Sequence, residues 1–128
     1  MPYVYADAAK LEKTPKVGSG QCVALVQHYA GLPGTIGWHE GEKVLNNASI
    51  KPGTAIATFV KGRYLSHATG NHAAFFLRHG ANGFYVMDQW KNKEDVSERF
   101  IPYRKGPKNA DGSYYNASNN ADAYSVIE

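Results

Sequence analysis

The order of local patterns along the chain constrains its fold most strongly. Before residues 52–53, apolar residues recur at helical spacing, most clearly over residues 21–30. After that point the apolar segments are short, rich in β-branched and aromatic residues, and separated by turn residues. A helical part followed by a run of strands is typical of α+β proteins. We therefore expect N-terminal helices packed on a small antiparallel sheet.

The same pattern predicts the individual elements. Helices are expected at residues 6–13 and 21–30, with a short helical turn at 42–47, and strands at 54–60, 71–77, 84–90, 96–104 and 124–127. Pro102 restricts the fourth of these strands to a sheet edge or a bulge. Residues 109–120 are polar and predict a loop, and no segment has the composition of an interdomain linker. Residues 1–128 are therefore expected to form a single domain.

Composition excludes several classes of protein. The chain has 128 residues and a net charge of +3, without the clustered Lys and Arg of a nucleic-acid binder. No stretch approaches the ~20 apolar residues that span a bilayer, so membrane insertion is not expected. The first residues lack the basic and apolar parts of a secretory signal. One cysteine cannot form an internal disulfide, so stability must come from packing.

That cysteine, Cys22, is the first candidate for chemistry. It follows a turn of small residues at 18–20 and stands at the start of the predicted second helix. Free backbone N–H groups and the helix dipole favour a thiolate at such a position. The alternative role is a small buried packing residue. The flexible approach and the helix start favour a nucleophile.

A cysteine nucleophile needs a base and a group that orients the base. His72 opens a predicted strand, and Asp88 lies near the end of the next. A hairpin centred on residue 80 would place the two opposite each other and complete a Cys-His-Asp triad. Gln89 is the competing candidate beside Asp88. A zinc site built from Cys22, His67 and His72 is disfavoured, because no compact ligand motif is present.

Four segments occur in a recognisable order: GQCVALVQ at 20–27, PGTAIATF at 52–59, NHAAFFL at 71–77 and YVMDQW at 85–90. Together they resemble the NlpC/P60 superfamily, most closely its CHAP-like branch, which contains papain-like cysteine amidases and peptidases that cut peptidoglycan. The chain is also similar to small bacterial amidases, some of which are type VI secretion effectors. The resemblance implies a papain-like core that works without metal or organic cofactor.

The resemblance also implies site roles. Cys22 matches the nucleophile, His72 the base and Asp88 the orienting acid, while Gln21 precedes the nucleophile where it could help to bind an oxyanion. Aromatic walls for a sugar or peptide could come from Trp38, Tyr64 and Trp90, although packing would explain these residues equally well.

The function implied is hydrolysis of an amide bond in the stem peptide or cross-link of peptidoglycan. The chain would be made in the bacterial cytoplasm, exported by a secretion machine and act in the periplasm of a competitor, with an immunity protein as partner. Two alternatives stay open. One is a phage-type or housekeeping wall lysin. The other is a catalytically inactive wall-binding module on the same fold.

Overall fold

One α-helix and six strands form the part of the chain that the computed structural model describes, residues 1–106 and 108–128. The helix α1 spans Cys22–Ala30. The strands are β1 Glu40–Lys43, β2 Ala55–Thr58, β3 Ala73–Gly80, β4 Gly83–Asp88, β5 Ser97–Pro102 and β6 Tyr124–Ile127. Short 3-10 helices lie at Ala8–Leu11, Thr35–Gly37, Ala117–Asn119 and Ala121–Ala123. The predicted α+β class is confirmed.

The strands form one antiparallel sheet in the order β1-β6-β2-β3-β4-β5. The central strands β2 and β6 are buried along their whole length, because both faces of the sheet are covered there. β5 lies at one edge, which confirms the position predicted from Pro102.

Each face of the sheet has its own apolar cluster. On one face α1 packs Leu25 and Val26 in the cluster that contains Phe75 and Met87. The opposite face contains Phe76, Phe84, Val86, Ile101, Tyr124 and Val126, together with three buried alanines of the segment 117–123. Burial of one such large side chain contributes about 1.5–3 kcal/mol. The first cluster fixes α1, which begins at Cys22, against β3; His72 directly precedes β3 and Asp88 ends β4.

The helix that carries Cys22 has a well-defined end. Gly31 adopts a left-handed conformation with φ of 71°, and its N–H donates to the carbonyl of Gln27. This is the usual glycine-based C-terminal cap. The observed helix begins one residue later than the predicted segment 21–30, a difference within the uncertainty of helix ends.

Two of the predicted N-terminal elements differ from the observed ones. The segment predicted as a helix at 6–13 contains only the 3-10 helix Ala8–Leu11. The helical turn predicted at 42–47 is wrong, since β1 occupies Glu40–Lys43. β1 is a polar edge strand that is held by pairing with β6, so its mostly exposed side chains carry no apolar alternation.

The described helices include none that is long and apolar enough to cross a membrane.

Candidate active site

Cys22 is the first residue of α1 and is partly exposed. The turn that leads to it contains Gly18 and Gly20, both with positive φ. A β-carbon at position 18 would approach the Cβ of Ala24 to 3.0 Å, so the turn lies close against the helix. Gln21 is an exposed, extended N-cap. The thiol therefore lies at the positive end of the helix dipole.

The side chain of Gln89 stabilises this turn through hydrogen bonds to its backbone. Its side chain is fully buried, and its amide nitrogen donates to the carbonyls of Val17 at 3.1 Å and Gln21 at 2.8 Å. Its amide oxygen accepts the N–H of Val17 at 3.0 Å. The carboxamide thus satisfies backbone hydrogen-bonding groups at both ends of the turn. This placement indicates that Gln89 positions the turn rather than a substrate.

The β3–β4 hairpin brings His72 to Asp88 in a register that differs from the predicted one. Phe75 pairs with Met87, and the ladder closes at Gly80 and Gly83 after an irregularity between Phe76 and Arg78. The predicted register is therefore wrong by two residues at the site. An even displacement leaves both side chains on the same face. His72 Nε2 and Asp88 Oδ2 accordingly meet at 2.8 Å as diagonal neighbours.

The His72 ring links the carboxylate to the thiol. Its Nε2 is bonded to Asp88, so Nδ1 is the ring nitrogen left for the hydrogen bond with Cys22. Burial opposes the charge on His72, but the hydrogen bond that its ring donates to Asp88 and the adjacent thiolate outweigh burial and raise the pKa of the imidazole.

The pKa of the Cys22 thiol shifts in the opposite direction to that of His72. Burial disfavours the thiolate of Cys22, but the hydrogen bond and positive charge of His72 outweigh burial and lower the thiol pKa. Smaller contributions of the same sign come from the Ala73 backbone and the Tyr64 side chain. Because the thiol pKa falls while the imidazole pKa rises, the arrangement favours a thiolate–imidazolium pair.

Asp88 is fully buried and, besides contacting His72, forms ion pairs with two cationic side chains. Lys93 Nζ lies 2.7 Å from Oδ1, and Arg99 Nε lies 2.8 Å from Oδ2. Burial opposes ionisation of the carboxyl group, but His72, Arg99 and Lys93 hold its pKa well below the ordinary range. The carboxylate is thus a fixed negative centre that orients His72 without competing for its proton.

Trp90 covers the outer side of this charged group. Its ring centroid lies 6.1 Å from that of His72, and Lys93 and Arg99 lie over its face at 4.6 and 5.3 Å. A cavity of about 300 Å³ opens here, lined by Trp90, His72, Arg99 and residues of the segments 68–71 and 118–119. Trp90 is 37% exposed, so it can contact a bound molecule as well as pack.

Tyr64 and Trp38 form the other side of the site. The Tyr64 hydroxyl lies 3.8 Å from Cys22 Sγ, and the two aromatic rings pack with centroids 4.9 Å apart. Trp38 is buried and donates from Nε1 to the carbonyl of Pro33 at 2.9 Å. A cavity of about 210 Å³ adjoins both rings and includes Arg63. His72 lines the larger of these two cavities and Tyr64 the smaller, and Cys22 lies next to both residues.

The structure brings Cys22, His72, Asp88 and Tyr64 together, with Trp38 lining the adjoining cavity. Three contributors were not predicted, namely Lys93, Arg99 and Asn71. The side chain of Arg99 reaches Asp88 from β5, whose pairing with β4 is not readable from a single sequence. Asn71 had a usable signal, because it immediately precedes His72 in a loop that returns to the site.

Comparisons with known proteins identify the family of the chain. The family model described as domesticated amidase effector 2 matches residues 7–127. A type VI secretion amidase effector 2 protein of Salmonella typhi is 50% identical over the whole of both chains. Domesticated amidase effector 2 of Ixodes scapularis is 39% identical over 77% of this chain and 70% of its own.

A solved structure of type 6 secretion amidase effector 2 superposes with a TM-score of 0.93 at 49% identity, and covers 98% of this chain and 94% of that one. The two proteins therefore share the same fold. The chain belongs to the amidase effector 2 family, which includes both the type VI secretion proteins and the domesticated proteins.

Proposed function

We propose that this chain is a cysteine amidase that hydrolyses an amide bond in the stem peptide or cross-link of peptidoglycan. The observation that carries the proposal is the linkage of a thiol at a helix N-terminus to a buried histidine, which is itself held at 2.8 Å by a fully buried carboxylate. The nucleophile Cys22 is thus linked to the base His72, and His72 is hydrogen-bonded to the orienting carboxylate of Asp88. The amidase names of the relatives support the same class of reaction.

In the first half of the proposed reaction, the Cys22 thiolate attacks the carbonyl carbon of the scissile amide and forms a C–S bond. The carbonyl oxygen takes up negative charge in the tetrahedral intermediate. When the C–N bond breaks, the His72 imidazolium gives its proton to the leaving amine. The products of this half are a free amine and a thioester on Cys22.

The second half regenerates the enzyme. Neutral His72 accepts a proton from water while the water oxygen attacks the thioester carbon. The C–S bond breaks, the carboxylic acid leaves, and the imidazolium–thiolate pair is restored. Asp88 stays ionised throughout and keeps the ring in the orientation that both steps use.

The surroundings of the thiol suit a peptide substrate. The cavity lined by Tyr64 and the cavity lined by His72 can receive the parts of a substrate that flank the scissile bond. Trp90, which is 37% exposed, offers apolar contact to one of these parts, whereas Trp38 is buried and supports the Tyr64 ring. The backbone N–H of Cys22, at the free N-terminus of α1, is available to the developing oxyanion, with the Gln21 side chain exposed beside it.

The wider context completes the proposal. Residues 1–128 act as one catalytic domain whose core is papain-like and related to the CHAP-type branch of the NlpC/P60 superfamily. A cysteine at the start of a helix and a histidine directly before a strand support this relation. The protein is exported from the producing bacterium, as the names of its type VI secretion relatives suggest, and acts as an antibacterial effector on the wall of a target cell. An immunity protein that covers the Cys22 site protects the producer.

Digestion of purified sacculi tests the function. The wild type is expected to release fragments with new amine and carboxyl termini, because hydrolysis of each amide bond adds one water. Cys22→Ala is expected to release none, because it lacks the nucleophile. Fragment masses identify which amide is cut.

The control is Cys22→Ser, which keeps the shape of the site and should share the defect while unfolding at a temperature near that of the wild type. Release of the same fragments by Cys22→Ala would sink the cysteine mechanism. Binding of sacculi without any release by the wild type would favour the inactive wall-binding module instead.

A further inference from the structure

The Tyr64 hydroxyl lies between two polar partners. It is 3.8 Å from the Sγ of Cys22 and 3.2 Å from the Nδ2 of Asn71. The side chain is partly buried, and its ring packs on Trp38. Which way its one proton points decides whether the hydroxyl gives a hydrogen bond to the sulphur or takes one from it.

The orientation of the Asn71 side chain settles that direction. The backbone N–H of His67 lies 2.7 Å from the amide oxygen of Asn71. A backbone N–H can only donate, so the amide atom that it meets is the oxygen. The NH2 group of Asn71 must then face Tyr64, and an NH2 group can only donate. The Tyr64 oxygen therefore accepts from Asn71.

The hydroxyl proton is consequently free to point toward the thiol. Among the described residues, the Cys22 sulphur is the other hydrogen-bonding partner of this hydroxyl. Burial, reinforced by the negative charge of the Cys22 thiolate, raises the pKa of Tyr64 above its ordinary value. The phenol therefore keeps its proton at neutral pH and remains a donor.

We infer that Tyr64 is a catalytic residue that donates a hydrogen bond to the Cys22 thiolate, and that Asn71 is the positioning residue that turns the Tyr64 proton toward the sulphur. The inference rests on the proposed role of Cys22 as nucleophile. Tyr64 then stabilises the thiolate as a hydrogen-bond donor, in addition to lining the cavity.

The Tyr64 hydroxyl, 3.8 Å from the sulphur, acts on Cys22 together with two other donors that lower the thiol pKa, the His72 ring and the backbone N–H of Ala73. A thiolate is a better acceptor than a thiol, so each donor favours the ionised form. The donors also lie on different elements, since Tyr64 belongs to the loop before β3. Together they hold the sulphur beside Tyr64 and His72, which line the two cavities.

Alkylation of Cys22 by iodoacetamide tests the inference, because it reports on the thiol and not on amide hydrolysis. Tyr64→Phe removes only the hydroxyl and is expected to slow alkylation at pH 6 by about three- to tenfold, the effect of losing one hydrogen bond of ordinary strength. At a pH where the thiol is fully ionised in both proteins, the two rates should converge. Tyr85→Phe, which changes a phenol packed on Arg78 and Phe100, is the matched control and should behave as the wild type.

Asn71→Asp tests the direction of the hydrogen bond. The aspartate can still accept the N–H of His67, but its second oxygen accepts from Tyr64 and turns the proton away from the sulphur. Part of any slowing would come from the added negative charge, so the substitution is also made in the Tyr64→Phe background. We expect Asn71→Asp to slow alkylation at pH 6 more in the presence of Tyr64 than in its absence.

The outcomes separate the two proposals. Equal alkylation profiles for the wild type and Tyr64→Phe would overturn the inference, and so would an equal effect of Asn71→Asp in both backgrounds. Either result leaves the nucleophile intact if Cys22→Ala is inactive on sacculi. Activity in Cys22→Ala would instead reject the proposed function, whatever the Tyr64 result.

Discussion

Replacement of His72 by alanine is expected to slow amide hydrolysis by at least about 10⁴-fold, the size of effect seen when a member of a catalytic triad is removed. The variant loses the group that keeps Cys22 ionised and the acid that protonates the leaving amine. Lower kcat at an unchanged substrate affinity would be the signature, because His72 is buried and acts on the reacting atoms. Initial rates on soluble peptidoglycan fragments measure it.

The fold should survive this substitution, since Asp88 keeps its ion pairs with Lys93 and Arg99. His28 provides the matched control, because it is an exposed histidine on α1 whose ring packs against Tyr29. His28→Ala should keep wild-type rates. If His72→Ala retained even a tenth of the wild-type rate, another group would have to be the base.

Substitution of Asp88 by asparagine is expected to lower the free energy of unfolding by about 3–5 kcal/mol, the cost of removing one partner from a buried ion pair. The asparagine has nearly the same shape, but it leaves Lys93 and Arg99, which are 14% and 20% exposed, without their counter-charge. Urea denaturation at pH 7 measures the difference.

The matched control is Glu98→Gln, which breaks the bidentate pair with Arg78 on the exposed side of the sheet. Exposed pairs contribute little, so this variant should unfold close to the wild type. Similar losses for the two variants would contradict the buried, multiply paired state of Asp88.

The stability that Asp88 supplies should also depend on pH with a definite sign. Its pKa is lowered in the folded protein, so the unfolded chain takes up the proton first as the pH falls. The contribution is fully present above the ordinary carboxyl pKa of about 3.9 and is lost as the pH falls through the folded value. The stability gap between wild type and Asp88→Asn should therefore narrow in acid.

Much of the site could be predicted because its chemistry is local or follows a two-residue period. The position of Cys22 at a helix N-terminus could be predicted from the adjacent glycine turn and the helical pattern that follows it. His72 and Asp88 were paired correctly although the predicted register was wrong, because an error of two residues keeps both side chains on one face. The ladder closes at Gly80 and Gly83, so the turn is centred later than the predicted residue 80. The irregularity between Phe76 and Arg78 then shifts the register by one residue, and no sequence pattern in that stretch predicts it.

The parts that could not be predicted depend on contacts between distant segments. β1 has the sequence Glu-Gly-Glu-Lys and exists because β6 pairs with it, so its own residues give no strand pattern. Gln89 bonds across 72 and 68 positions in sequence to Val17 and Gln21, and only the folded chain shows that it supports the turn before Cys22. Arg99 reaches Asp88 in the same way, from a neighbouring strand.

The central claim is that Cys22 and His72 form a thiolate–imidazolium pair poised for attack on an amide. The most direct test is the pH dependence of iodoacetamide alkylation at Cys22 in the wild type and in His72→Ala. We expect the wild-type profile to have its midpoint below the ordinary cysteine value of about 8.5, and the His72→Ala profile to move upward and lose reactivity at neutral pH. A wild-type thiol that titrates at the ordinary value, or profiles that coincide in the two proteins, would contradict the account.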